Sequence, residues 1–346
     1  MDQLQKSFDK VVKEAFEAAS SEEELEALAS ELPKHLGELL DRLPYELIAK
    51  IKETVKEGLA ERRALHSQFV ERNYSRWQEA FDLLELLIEV AVEAGESFNK
   101  RIRPQAVEEG DVTFDTVVRL HAKGCLIGKE ILALLFNGYA DGAHARWRAL
   151  HEISVTAMFL SHHGADATER YLIHEFVEAY KAAEQLNKYQ SRINAKGFSQ
   201  QELDDFKKDY ERVIERYGRG FRNPYGWAEP FLPKGKPTFL SLEEAVGLDH
   251  WRPYYKWASQ NVHANIKAIR NSLGLSECRE DVLQAGPSNS GMVDPAHSTA
   301  ISISQLTSTL LCTSPNLDDL VAVKVIMSLA DETGEVLVRC SGGKPI

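Results

Sequence analysis

Five residues with side chains that could transfer protons or bind anions follow one another in the stretch from Asn137 to His163. The stretch opens with the turn-forming sequence Gly-Tyr-Ala-Asp-Gly and continues with a helical pattern. On a helix the five residues share one face about 100° wide. The residues that follow are apolar nearly all round, so this helix should be buried, and its charged groups must then be paired or used in chemistry. The five residues are Asp141, His144, Arg148, His151 and Glu152.

A second polar group lies in the segment from Trp251 to Leu273, which the sequence predicts to be one long helix. Tyr255, Ser259 and His263 recur every four residues, so their side chains would stack along one stripe. Such hydroxyl and imidazole groups either satisfy one another between packed helices or form part of a reactive site. Two polar stripes in one helical chain favour a cleft across which they face each other.

These segments resemble a prokaryotic family known as domain of unknown function 5677. The similarity is carried by the sequences GYADGAHARWRALHE, NPYGWAEPFL and YYKWASQNVHA, within roughly residues 110–275. In that family an Arg and a Glu on one helix, a Tyr-Gly-Trp loop and a Ser…His helix recur. The resemblance implies a helical fold and a shared polar site, with no established activity. The matching positions are Arg148, Glu152, Tyr225, Gly226, Trp227, Tyr255, Ser259 and His263.

The segment from Arg146 to His151 also resembles the Arg–His motif of HEPN ribonucleases, with four residues between the two. These are helical, metal-independent enzymes of toxin–antitoxin and antiphage systems, often completed by a second protomer. The resemblance implies that His151 is the acid/base, that Arg146 binds phosphate, and that the protein is a dimer acting on RNA. Imidazole suits proton transfer near neutral pH, and a guanidinium suits phosphate. On an ideal helix, however, Arg148 is the neighbour of His151, because Arg146 lies about 140° away.

A basic and aromatic tract, KKDYERVIERYGRGFRNPYGW, is a candidate RNA-binding or DNA-binding surface. Its cations could contact phosphates while its aromatic rings stack on bases. Alternatively, Glu211 and Glu215 pair with the cations and the aromatic rings fill the core. The segment from Gly218 to Thr238 is rich in glycine and proline and predicts an irregular, functional loop. The candidate nucleic-acid-binding residues are Lys207, Lys208, Arg212, Arg216, Arg219 and Arg222.

The composition argues against several classes of protein. The net charge of −12 disfavours broad adhesion to nucleic acid, and no apolar run approaches the ~20 residues of a membrane span. The N-terminus has no signal-peptide pattern and the four cysteines form no CxxC pair, so we expect a cytoplasmic protein with reduced thiols. HExxH and phosphate-loop motifs are missing, and no metal or cofactor is expected. Residues 1–110 carry 24 acidic and 15 basic residues, which makes this region a candidate surface for a protein partner.

Helix caps, prolines and apolar stripes predict an all-α protein, a multi-helix bundle. We expect an acidic N-terminal helical region (1–110), a helical core domain with the polar cleft (111–275), and C-terminal helices with a tail (276–346). Within these, Pro33 and Pro44 should separate short helices, residues 99–112 should form a linker, and Val336–Arg339 could form a strand.

The leading hypothesis is a HEPN-like, metal-independent ribonuclease of a toxin or antiphage defence system. Its cleft would lie between residues 139–162 and 251–273, with Arg146 or Arg148 binding phosphate and with His151 and His263 as acid/base groups. Glu152 would orient an arginine or a histidine of this site. The alternative is a non-catalytic interaction or regulatory protein in which the Arg/Glu and Ser/His pairs are structural.

Overall fold

The computed structural model describes residues 3–233, 235, 237–263 and 265–342. Over these residues the chain forms helices and no strand, which confirms the predicted all-α multi-helix bundle. None of the helices in the described ranges is both long enough and apolar enough to cross a bilayer. The α-helices are α1 (Gln3–Ala18), α2 (Glu22–Glu109), α3 (Val112–Phe136), α4 (Ala140–Ile173), α5 (Glu175–Tyr189), α6 (Gln200–Tyr217), α7 (Phe239–Ala245), α8 (Arg252–Val262), α9 (Ile266–Arg270), α10 (Val293–Leu311) and α11 (Leu317–Cys340).

The chain divides into two compact units, residues 1–69 and residues 70–346. The first contains α1 and the N-terminal part of α2; the second contains the rest of α2 and all later helices. The three regions expected from the sequence (1–110, 111–275 and 276–346) stay a prediction.

Helix α2 is continuous for 88 residues, so the predicted breaks at Pro33 and Pro44 are wrong. Both prolines are exposed, and the carbonyl groups that lose a helical partner can bond water instead. The predicted linker over residues 99–112 is also wrong, since α2 runs to Glu109. Only Gly110, with φ of 65°, and Asp111 separate α2 from α3.

Helix α4 is the central helix of the second unit and packs against α3, α7, α8 and α10. It forms a hairpin with α3 through a short turn in which Gly138 has a φ of 81°. The indole of Trp147, almost fully buried, donates to the carbonyl of Ser298 at 2.9 Å and to the hydroxyl of Ser302 at 3.0 Å. These bonds fix the face of α4 on which the candidate residues lie.

Two predictions for the C-terminal half of the chain are wrong. Val336–Arg339 lies within α11, where Val336 and Leu337 are on the buried face. The predicted helix from Trp251 to Leu273 is interrupted, because Asn265 has an extended conformation and its side chain caps α9. A cap of this kind ends one helix and begins the next. The interruption places His263 just beyond the end of α8.

Candidate functional site

The contact between α4 and α8 brings Arg148 and Glu152 to Tyr255. The Tyr255 hydroxyl donates to Oε1 of Glu152 at 2.6 Å. Nε of Arg148 lies 3.0 Å from that same oxygen and 3.1 Å from the Tyr255 oxygen. The guanidinium carbon of Arg148 is also 5.0 Å from the centre of the Tyr255 ring. The three side chains therefore fix one another, and the position of the guanidinium is defined before any ligand binds.

His263 lies at the outer end of this group. Nη1 of Arg148 is 3.2 Å from Nε2 of His263. Because a guanidinium can only donate, this hydrogen bond requires Nε2 to be the unprotonated nitrogen. His263 is exposed and the Arg148 side chain is 25% exposed. An imidazole acceptor and a positioned cation thus meet at a place that solvent can reach.

His151 belongs to a second, buried group. Its Nε2 lies 2.9 Å from Oε1 of Glu243, and the other oxygen of Glu243 accepts a bond of 2.6 Å from Arg252. A carboxylate only accepts, so Nε2 of His151 carries the proton. The His151 side chain is 1% exposed and that of Glu243 is fully buried. Acid/base catalysis by His151 stays a prediction, and this geometry gives the ring no direct access to solvent.

The ring of Tyr255 joins the two groups into one cluster, the Arg148 cluster, which comprises Arg148, Glu152, Tyr255, His263, His151, Glu243 and Arg252. The guanidinium of Arg252 lies 4.8 Å from the ring centre, so the ring contacts two arginines. Burial and the hydrogen bond to Glu152 raise the pKa of Tyr255. Burial, followed by the charge of Glu152, also raises the pKa of Tyr225. Both phenols therefore remain neutral hydrogen-bonding groups at physiological pH.

The remaining members of the predicted α4 face lie in other surroundings. The Asp141 carboxylate accepts from the Ser272 hydroxyl at 2.5 Å and from the backbone N–H of Leu273 at 3.0 Å. His144 is fully buried and stacks on Trp147. The residues predicted to share one face of α4 therefore have three different surroundings. Asp141 binds a loop, His144 lies in the core, and Arg148 contacts α8.

Arg146 is separate from the cluster, because its Nε pairs with Glu130 of α3. Ser259 donates to the backbone carbonyl of Tyr255 at 2.7 Å, one turn earlier in its own helix. This bond occupies the Ser259 hydroxyl hydrogen, which a catalytic serine would pass to a base. Binding of phosphate by Arg146 and catalysis by Ser259 stay predictions that this arrangement does not favour.

The Tyr-Gly-Trp sequence forms the start of a short 3₁₀ helix, Gly226–Phe231. Trp227 is buried and packs edge-on against Phe159 of α4 at 5.5 Å between ring centres. A Cβ at Gly226 would lie 2.5 Å from the carbonyl oxygen of Gly220, so the close approach of two backbone segments requires glycine. This loop therefore packs against α4 through Trp227 and holds Tyr225 near Glu152 and Arg148.

The basic tract is extensively paired within the protein. Lys207 lies 3.7 Å from Glu211, Arg212 lies 2.9 Å from Asp209, and Arg216 lies 2.8 Å from Glu169. The aromatic part packs inward, since Phe221 is fully buried and stacks on Tyr217. Lys208, Arg219 and Arg222 are exposed, and they remain candidate phosphate contacts.

Glu243 and Arg252 are members of the cluster that sequence reasoning missed. A signal for Glu243 was present, because Phe239, Leu242 and Glu243 fall on one face of α7, and a carboxylate on an apolar face requires a buried partner. Arg252 precedes Tyr255 by three residues and so shares its helix face. Throughout the described part of the chain, no three His, Cys, Asp or Glu side chains converge closely enough to share a metal ion.

Residues 114–281 match the model of a family described as a family of unknown function (DUF5677). The matched segment includes Arg148, Glu152, Glu243, Tyr255 and His263, and it confirms the first resemblance over this part of the chain. The chain matches no curated protein and no solved structure. The resemblance to HEPN ribonucleases stays a prediction.

Proposed function

We propose that the chain is a metal-independent ribonuclease whose site is formed by Arg148 and His263. The observation that carries this proposal is the distance of 3.2 Å between a solvent-exposed imidazole nitrogen, unprotonated in this contact, and a guanidinium fixed by two other side chains. Acid/base catalysis requires a proton acceptor within reach of the reacting hydroxyl, and phosphoryl chemistry requires a positioned cation. The pair offers a proton acceptor and a positioned cation within one chain, which supports the proposal.

The chemistry follows from the two groups. Arg148 would bind a non-bridging phosphate oxygen in place of its contact with His263, and Nε2 of His263 would take the proton of the adjacent 2′-hydroxyl. The 2′-oxygen then forms a bond to phosphorus while the bond from phosphorus to the 5′-oxygen breaks. The departing 5′-oxygen takes a proton from solvent. The products are a 2′,3′-cyclic phosphate and a 5′-hydroxyl end, and Arg148 stabilises the charge that develops on phosphorus.

Glu152 and Tyr255 act as positioning residues. Their contacts with Nε of Arg148 hold the guanidinium plane, and the terminal nitrogens are left to face substrate. The proposal keeps the Arg–His chemistry of the HEPN resemblance while replacing Arg146 and His151 with residues that meet at the surface. RNA cleavage would suit a cytoplasmic toxin or antiphage protein, with Lys208, Arg219 and Arg222 as contacts to the RNA backbone.

The test is cleavage of 5′-labelled single-stranded and structured RNA in EDTA. His263→Ala and Arg148→Ala should each reduce the rate at least 100-fold, the scale of a lost acid/base or charge-stabilising group. His250→Ala and Arg119→Ala are matched controls, since both side chains are exposed and the structure places neither in the cluster. The products of the wild type should carry 2′,3′-cyclic phosphate. Absence of cleavage by the wild type, or equal cleavage by all variants, would overturn the proposal.

The mutual satisfaction of Arg148, Glu152 and Tyr255 favours a second candidate, a non-catalytic helical interaction protein. In that case the cluster serves only to hold α4 against α8. Arg148→Ala would then lower the melting temperature while RNA remained uncleaved by every form of the protein, including the wild type.

A further inference from the structure

The first compact unit presents a long apolar stripe on residues 22–69 of α2. Leucine, isoleucine or valine recurs at intervals of three or four residues along this segment. At about 100° per residue the row turns by roughly 160° around the helix between Leu25 and Leu59, and its central positions, from Leu36 to Ile51, share one face roughly 80° wide. No residue from 20 to 65 is buried, and the side chains of Leu40 and Ile51 are 62% and 58% exposed. The stripe consists of Leu25, Leu28, Leu32, Leu36, Leu40, Leu43, Leu47, Ile51, Val55 and Leu59.

Helix α1 is too short to cover this stripe. With 16 residues it is about 24 Å long, so even if it folded back along α2 from the turn before Glu22 it would end near residue 38. The apolar positions from Leu40 to Leu59 lie beyond that point. Exposed apolar surface of this extent is characteristic of an interaction site, and an isolated helix gains most of its stability by packing such a face.

The charges along the segment are distributed unequally. Residues 22–46 contain eight acidic and two basic residues, a net charge of −6. Residues 47–69 contain three acidic and five basic residues, a net charge of +2. Two parallel copies would place the acidic halves side by side. Two antiparallel copies would place each acidic half beside the basic half of the other copy.

We infer that residues 22–69 form an antiparallel dimer interface with a second copy of the chain. The apolar stripe supports one register in particular, in which the numbers of facing residues add up to about 91. Leu40 then faces Ile51 of the other copy, and Leu43 lies close to Leu47 of the other copy. No residue of this surface belongs to the Arg148 cluster, and the inference is independent of the proposed ribonuclease activity.

Sedimentation equilibrium of the full chain tests the dimer. Leu40→Ser combined with Ile51→Ser should weaken the dimer at least 100-fold, since each copy loses two apolar contacts at the centre of the interface. The matched control combines Leu86→Ser with Leu126→Ser, which alters two leucines of the second unit that are 49% and 50% exposed. A wild type that is monomeric at about 100 μM, or a control that weakens the dimer equally, would overturn the inference.

Cysteine crosslinking tests the orientation in a background with Cys278, Cys312 and Cys340 replaced by serine. In the antiparallel register a Leu40→Cys chain mixed with an Ile51→Cys chain forms a disulfide, because the two positions face each other. A dimer of either variant alone should not crosslink, since the introduced cysteines of its two copies would lie about 16 Å apart along the helices. Efficient crosslinking of Leu40→Cys to itself would show a parallel arrangement and contradict the inference. Rising salt should also weaken the dimer.

Discussion

Glu243 and Arg252 form an ion pair of 2.6 Å in which the carboxylate is fully buried and the arginine side chain is 26% exposed. The second oxygen of Glu243 is bound by His151, so both oxygens have a donor. A buried charge is tolerated only when it is paired and hydrogen-bonded in this way. The pair therefore ties α7 to the start of α8 and holds the inner side of the Arg148 cluster in place.

Replacing Glu243 with Gln should destabilise the protein by about 3 kcal/mol, because it leaves Arg252 without its counter-charge next to the core. Glu244→Gln is a matched control one residue away, where the side chain is exposed. Urea unfolding of the two variants and the wild type measures the difference. Equal stability of the Glu243 and Glu244 variants would show that the buried pair contributes nothing to the fold.

The hydroxyl of Tyr255 is bonded to both Glu152 and Arg148, so Tyr255→Phe should cost about 2 kcal/mol, the range for hydrogen bonds to charged groups. Tyr254→Phe alters the exposed neighbour and should be nearly neutral. If Arg148 needs Tyr255 for its orientation, Tyr255→Phe should also weaken binding of a short RNA at a pH at which both variants remain folded. Retention of both stability and RNA binding would contradict a positioning role for this hydroxyl.

The raised pKa of Tyr255 adds a pH dependence. The unfolded chain loses the phenolic proton near pH 10 while the folded chain still holds it. Stability from this group is therefore fully present below about pH 10 and is lost as the pH rises further. Wild-type stability should fall more steeply above pH 10 than that of Tyr255→Phe, as measured by urea unfolding at several alkaline pH values.

The part of the site that could be predicted from the sequence is the part made by local spacing. Arg148 and Glu152 are one turn apart on α4, and their ion pair follows from that spacing. Tyr255 and His263 were identified as candidates, yet their meeting with α4 depends on packing across more than 100 residues of chain. The bond from His151 to Glu243 spans 92 residues and involves a short helix that propensity alone does not place. Distant partners of buried polar groups are set by tertiary structure.

The ends of helices could likewise be predicted from the sequence only where local contacts determine them. The capping box of α6, with Ser199 and Glu202, was predictable because it is local. The break before Asn265 was not, since the sequence around His263 has the apolar spacing of a continuous helix. This break determines where the imidazole lies, so the exposure of His263 came from the structure alone.

Gly226→Ala should destabilise the second unit by about 2 kcal/mol, because the new methyl group would lie 2.5 Å from a backbone oxygen that cannot move aside cheaply. Gly142→Ala is the control, since a Cβ there meets only ordinary contacts of 3.8 Å and alanine favours the helix. Thermal unfolding of both variants measures the effect. A neutral Gly226→Ala would show that the loop can shift, and Tyr225 would then not be held against the cluster.

His144 provides a prediction about acid stability. Its ring is fully buried between Trp147 and Trp257, and neither ring nitrogen has a hydrogen-bond partner among the described residues. Burial lowers the pKa of His144 to about 4. Between about pH 6.5 and pH 4 the unfolded chain binds a proton that the folded chain excludes, so stability falls as the pH falls through this range.

His144→Phe should remove that dependence and stabilise the protein by about 1 kcal/mol at pH 7, because two unpaired buried nitrogens are replaced by carbon. The slope of stability against pH between 6.5 and 4 should decrease by about 1.4 kcal/mol per pH unit. A residual slope should remain, since burial also lowers the pKa of His121 to about 4. Urea unfolding at five pH values, with His250→Phe as the exposed control, gives both quantities. An unchanged slope in His144→Phe would mean that this imidazole takes up a proton within the folded protein.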